Sequence, residues 1–239
     1  MDPKLCRYRE VYPYQDNTVK ISNNHNIINA SWIHIPYRKS FIASQGPPDY
    51  CIDDFWQMCF DYNVNKILML CNEIEKGIIK CSNYWEIKSS QFFKTINIIK
   101  LKENNIFVEK IIKIQNLRDN KIKNFTHVQF KEWPDHQVPN IQNVVYYFEK
   151  LFNFIENEKW MDPIVVHCSV GVGRTGVFIA LYILYKEIMD KIKIGENIQF
   201  NIFNLVRKLK ELRLYSVENI NQYQFIYLFI EELLKEKNN

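Results

Sequence analysis

Six glycines occur in 239 residues, and three of them, Gly171, Gly173 and Gly176, fall inside one six-residue window. Ordinary usage of about 7% would give roughly 17, so the few retained are expected where no side chain fits. The window follows Pro163 to His167 (P-I-V-V-H), which reads as a buried strand, and leads into a helical pattern over about Thr175 to Asp190. A strand that turns so tightly into a helix belongs to a sheet with helices packed on it. The expected fold class is therefore α/β (α+β), with a central mixed, twisted sheet flanked by helices.

The remaining chain supplies parts for such a sheet. Ser40 to Ser44 reads as a short strand, Pro47-Pro48 open a helix over about Asp49 to Asn63, and Asn65 to Cys71 has buried-strand length. The Ile-rich runs Phe92 to Leu101 and Phe107 to Leu117, separated by Glu103-Asn104-Asn105, predict a hairpin. A strand near Thr126 to Phe130 comes next. It precedes a helix over about Ile141 to Lys159, whose Val144, Val145, Phe148, Leu151, Phe152 and Ile155 recur at helical spacing. Further helices are predicted over Ile198 to Leu212 and Glu218 to Lys235. No repeat or linker interrupts the chain, so residues 1–239 read as one domain.

Composition excludes several classes. With 47% hydrophobic residues and a net charge of only +4, disorder is ruled out as the main state. No basic block suggests nucleic acid. The longest strongly apolar stretch, Val177 to Tyr185, is far short of the ~20 residues that span a bilayer. The six cysteines form no C-x-x-C pair and no metal-ligand spacing, and no secretory segment opens the chain. These features predict a soluble, cytoplasmic protein with reduced thiols, no metal and no cofactor; they do not set its oligomeric state, for which a monomer is the expectation.

The glycine window itself reads as an anion cradle. A strand ending in a tight loop that starts a helix aims several backbone N–H groups at one spot, and the helix N-terminus adds partial positive charge. Gly171, Gly173 and Gly176 do match G-x-G-x-x-G, but that dinucleotide pattern leaves Cys168 and Arg174 unexplained and lacks its acidic residue about 20 positions on. A cysteine just before the cradle has its thiolate favoured by the same N–H groups, which makes it a nucleophile aimed at the bound anion. Arg174, six residues later, can fork two phosphate oxygens.

At these residues the chain resembles a known family. His167-Cys168-Ser169-Val170-Gly171-Val172-Gly173-Arg174-Thr175-Gly176 is similar to the signature loop of the protein tyrosine phosphatases. The resemblance continues along nearly the whole chain. Arg7 to Val11 resembles the phosphotyrosine-recognition loop, Ile28 to Ser31 the strand motif after it, and Gln45-Gly46-Pro47 with Phe55-Trp56 the next block. Glu75-Lys76-Gly77 with Lys80-Cys81 and Tyr84-Trp85 resembles the E-loop, and Trp133 to Pro139 the mobile acid loop. The AT-rich flavour of the composition further resembles members carried by bracoviruses of parasitoid wasps, which would place the substrates among host signalling proteins.

The resemblance implies a tyrosine-specific phosphatase acting through a phosphocysteine, with phosphotyrosyl proteins as partners. It assigns Cys168 as nucleophile, Asp135 as general acid, and Arg174 with the N–H groups of Ser169, Val170, Gly171, Val172 and Gly173 as holders of the phosphoryl oxygens. It gives Thr175 a hydroxyl bond to the cysteine sulfur, a role compatible with the helix N-cap that its position also suggests. Tyr8 would stack on the substrate ring, Glu10 would receive the substrate's backbone N–H, and Gln222 would position water. His167, Glu75 and Lys80 would support the site, Glu75 by pairing with Arg174 and Lys80 by approaching Asp135. The last two read equally as solvated surface charges.

Four departures stand out. The family usually has Asp where Glu10 stands, Gly at Gln137, and, in Val217 to Phe225, a water-orienting Gln where this chain has Glu218. The helices that usually precede the recognition loop are also absent from this sequence. A carboxylate at 218 predicts a working but slowed dephosphorylation step, and supports the alternative of a substrate-trapping, phosphotyrosine-binding protein with weak or no turnover. A dual-specificity or lipid phosphatase would need a shallower pocket than the Tyr8 loop implies.

Overall fold

The computed structural model describes residues 3–23, 25–36, 39–88, 90–134, 137–140, 144–156 and 162–238. Strands β1 (Thr18–Lys20), β2 (Ile27–Ile33) and β3 (Phe41–Ser44) lead to helix α1 (Ile52–Asp61) and strands β4 (Lys66–Met69), β5 (Ile74–Glu75) and β6 (Ile78–Ile79). Strands β7 (Phe93–Glu103), β8 (Phe107–Asn116) and β9 (Ile122–Phe130) precede α2 (Val144–Glu156) and β10 (Ile164–His167). Helices α3 (Gly173–Ile194), α4 (Ile202–Leu212) and α5 (Ile220–Asn238) follow.

Eight strands form one sheet in the order β1-β2-β3-β10-β4-β9-β8-β7, with β5-β6 a separate hairpin. The central four, β3, β10, β4 and β9, are parallel, and both edges are antiparallel. Every residue of β3, β4 and β10 is buried, as expected of parallel strands covered on both faces. His167 lies level with Ser44 on one side and Met69 on the other. The glycine loop therefore emerges at the carboxyl edge of the parallel strands, where open α/β sheets bind ligands.

Helix α3 is buried without a break from Gly173 to Leu184, which marks it as the central helix and not a surface one. It ends at Gly195, whose φ of 69° gives the left-handed cap that favours glycine. The α2 stripe is core as read from its spacing, and its hub is Phe148. That ring lies 5.6 Å from Phe178 of α3, 5.6 Å from Phe229 of α5, 5.7 Å from Phe130 of β9 and 5.6 Å from Trp133. Trp133 begins the acid-loop motif, so the core fixes the base of that loop.

Element boundaries shift for local reasons. The helix expected over 49–63 begins with a 3-10 turn at Asp49–Cys51 before α1. The β7–β8 turn sits one residue later than read, because Asn104 Oδ1 accepts from the N–H groups of Ile106 and Phe107, both at 2.8 Å, and closes the turn itself. Helix α4 starts at 202, where Asn201 Oδ1 accepts from Asn204 N at 2.9 Å as an N-cap. Residues 141–143 and 157–159 of the expected α2 lie outside the described residues.

Removing the Phe148 ring leaves a hole among six aromatic rings, Phe152 and Phe225 included. Phe148→Ala should cost about 3–5 kcal/mol in urea unfolding, and a loss below 1 kcal/mol would show that the hub is not a unit.

Candidate active site

Cys168 follows β10 directly and is 4% exposed. The loop is seated hard against the end of β3. Gly171 has φ of +79°, and a Cβ there would stand 2.0 Å from the Ser44 carbonyl oxygen. No other residue tolerates both the angle and the contact. In that seat Gly171 N–H donates to Cys168 Sγ at 3.2 Å, while Gly46 N–H donates to Ser169 O at 2.9 Å. The first turn of α3 then contributes N–H groups that have no intrahelical acceptor.

Arg174 projects from that first turn and is fixed as a fork. Nη1 donates to Glu75 Oε1 at 2.7 Å, Nη2 to Glu75 Oε2 at 2.6 Å, and Nη1 also to Leu70 O at 3.1 Å. Burial alone would lower the Arg174 pKa, but the Glu75 hydrogen bond and the nearby Cys168 and Glu75 charges outweigh it, and the net direction is up. Glu75 is in turn held by Asn72 N–H at 2.9 Å. The expected Glu75–Arg174 pair is therefore present, on the turn that β5 and β6 form.

Cys168 and Arg174 open into a cavity of about 570 Å³ that Tyr8, Lys80, Glu218 and Gln222 also line. Glu10, Ser169, Val170 and Gly173 border it as well. Gly171 and the buried Val172 are not among the residues that line it. Tyr8 O–H is 3.0 Å from Ser169 Oγ, which ties the recognition loop to the cradle. Gln222 is 1% exposed, and its Oε1 accepts from Glu218 N–H at 2.8 Å, so Nε2 is the end free to meet a ligand. A Cβ on Gly173 would fall 2.8 Å from Gln222 Nε2 and 2.9 Å from Glu218 Oε2. Both side chains therefore crowd the cradle, and Glu218 does so from an exposed position.

Two expectations for Thr175 are corrected. Helix α3 begins at Gly173, with Val172 at its N-cap, so Thr175 lies inside the first turn and caps nothing. Its Oγ1 is buried without a hydrogen-bond partner among the described residues, so no bond to Cys168 Sγ is present. Asp135, and with it the expected approach of Lys80, lies outside the described residues.

A match to the protein-tyrosine phosphatase family model covers residues 2–232. The chain belongs to that family. It is 36% identical over 236 residues to tyrosine-protein phosphatase non-receptor type 20 of Rattus norvegicus, which covers 96% of this chain and 54% of the relative. It is also 36% identical over 215 residues to tyrosine-protein phosphatase 2 of Dictyostelium discoideum, covering 87% and 54% respectively. The chain thus spans about half the length of these relatives. Among solved structures, PTPN18 in complex with HER2-pY1196 phosphopeptides superposes with a TM-score of 0.82 at 26% identity, covering 96% of this chain and 81% of that one. The mixed sheet flanked by helices is the phosphatase fold.

Sequence reasoning missed the scaffold behind this family's loop. Arg7 donates Nε to Gly46 O at 2.9 Å and Nη2 to Pro47 O at 2.8 Å, clamping the recognition loop. Arg213, 1% exposed, donates to four acceptors beneath the cradle. A signal was available: the chain has 7 arginines against 24 lysines, so arginine is kept where a fork is needed.

His167 also has an unforeseen partner. Its Nδ1 meets Cys168 O at 3.1 Å and must donate, so Nε2 accepts from Tyr84 O–H at 2.8 Å, and Tyr84 accepts from His127 Nε2 at 2.8 Å. Burial pushes the His167 pKa down to about 4 and that of His127 well down, so both stay neutral in the native protein. An unfolded chain protonates them near 6.5. Native stability should therefore fall as pH drops from 6.5 toward 4, by up to about 1.4 kcal/mol per unit for each histidine. Urea midpoints at pH 7 and 5 check this. The acid loss should shrink in His127→Gln, and an unchanged slope in that variant would refute it.

Proposed function

We propose that this chain is an active protein-tyrosine phosphatase that hydrolyses phosphotyrosine in proteins. The observation that carries the reading is the conjunction of Cys168 and the Glu75-anchored Arg174 on one cavity whose wall is Tyr8. Cys168 Sγ attacks phosphorus as the phosphorus–oxygen bond to tyrosine breaks, and Asp135 gives its proton to the departing oxygen. Water then attacks phosphorus, the phosphorus–sulfur bond breaks, and Asp135 takes the water's proton. Arg174 and the loop N–H groups hold the non-bridging oxygens through both steps. Tyr8 and Glu10 seat the substrate, and Gln222 Nε2 is the donor left to place the water.

The partners are then phosphotyrosyl proteins met in the cytoplasm, among host signalling proteins if the compositional likeness to bracoviral members reflects origin. No helix among the described residues is long and apolar enough to cross a membrane.

Glu218 tunes the second step. A carboxylate about 4 Å from a phosphoryl charge costs about 1 kcal/mol in water and about 4 kcal/mol at an effective dielectric of 20. Because Glu218 is exposed, the smaller figure applies, a slowing of roughly five-fold.

The wild type should release phosphate from a phosphotyrosyl peptide, while Cys168→Ser should bind the peptide without release. Zero release from both, with binding retained, would favour the trapping protein instead. Burst kinetics on an aryl phosphate test Glu218 separately: Glu218→Gln should raise the steady-state rate about five-fold, and no gain together with no burst in the wild type would remove it as the brake.

A further inference from the structure

Arg213 carries a charge that the chemistry above does not use. It lies at the end of α4 and is fully buried, yet no carboxylate pairs with it among the described residues. Burying an unpaired cation is costly, and a neutral amide could satisfy carbonyl acceptors at less expense. Its four bonds indicate what the charge is for. Nε donates to Gly171 O at 2.6 Å and Nη2 to Val170 O at 3.3 Å, while Nη1 and Nη2 reach Ser31 Oγ and Asn29 Oδ1, both at 3.0 Å.

The two carbonyls belong to the cradle. In a trans peptide the C=O and N–H point opposite ways. Val170 O and Gly171 N–H share one peptide unit, so Arg213 holds one end while the other donates to Cys168 Sγ at 3.2 Å. The next unit repeats the arrangement: Gly171 O faces Arg213, which turns Val172 N–H the other way. Burial lowers the Arg213 pKa to about 10, and the Cys168 charge is the main influence opposing that fall.

We propose that Arg213 is a positioning residue that acts through its charge, a fixed cation behind the loop whose counter-charges are the Cys168 thiolate and the bound phosphoryl group. The inference rests on the phosphatase reading, but its test does not require turnover. Inorganic phosphate binding is measured by calorimetry for the wild type, Arg213→Lys, which keeps the charge and loses the fork, and Arg213→Gln, which keeps donors and loses the charge. Arg213→Gln should weaken phosphate about tenfold, the loss expected when one unit charge contributing about 1.4 kcal/mol is removed. Arg213→Lys should stay within about threefold. Binding by the glutamine variant equal to or tighter than by the lysine variant would reduce Arg213 to a scaffold and overturn the proposal, as would a wild type that binds no phosphate.

If either variant fails to fold, the pair Asn29→Ala and Ser31→Ala decides. These remove acceptors of Arg213 and leave its charge, so phosphate affinity should hold within about threefold, and a tenfold loss would overturn the electrostatic role. A wild type that binds phosphate but hydrolyses no aryl phosphate would fail the phosphatase reading alone.

Discussion

A Cβ at position 171 would stand 2.0 Å from the Ser44 carbonyl, so the loop after β10 has no freedom to lift off the end of β3. That contact sets the direction of everything beyond it. With the loop pressed down, Gly171 N–H faces the Cys168 sulfur, and α3 begins at Gly173 with its open N–H groups over the same cavity. Gly46 closes the opposite side, where a Cβ would fall 2.5 Å from Cys168 O. The cradle is thus made by steric exclusion before any charge is counted, and the sheet's parallel centre supplies the rigid floor it is pressed onto.

Charge is then layered on that shape from two sides. Arg174 sits at the cavity with a carboxylate that holds its fork in plane, so its guanidinium is presented in one orientation. Arg213 sits behind with two backbone carbonyls, the Asn29 amide oxygen and the Ser31 hydroxyl as its acceptors, and no carboxylate pairs with it among the described residues. A paired cation keeps its geometry when the cavity is empty, whereas a carboxylate-free one keeps its field. The two arginines therefore divide orientation and potential between them, and it is at 174 that lysine, a compact point charge on a flexible stem, could not present the same fork.

Much of this was legible in the sequence where a residue's local pattern and its tertiary role coincide. The buried strands at 41–44, 66–69 and 164–167 announced themselves by apolar runs, and the α2 stripe by its spacing, because burial and periodicity have one cause. The hairpin β5–β6 left no such trace, since two-residue strands have no period, and only the resemblance pointed to Glu75. Arg213 was invisible for a different reason: its partners lie at 29, 31, 170 and 171, and nothing around 213 reports them. Thr175 was misread because Gly173, normally a poor helix residue, starts α3 when the crowding of Gln222 and Glu218 leaves no space for a side chain.

All six cysteines are free and buried, but only Cys168 lines the cavity at the glycine loop. Burial pushes the Cys51 thiol up to about 12 and raises the thiols of Cys59, Cys71 and Cys81 as well, leaving them protonated at neutral pH. The molecule is therefore its own masking reagent. An electrophilic tag small enough to enter the cavity would meet the Cys168 sulfur there and none of the other five, so a chain rich in thiols presents a single chemical address at that opening.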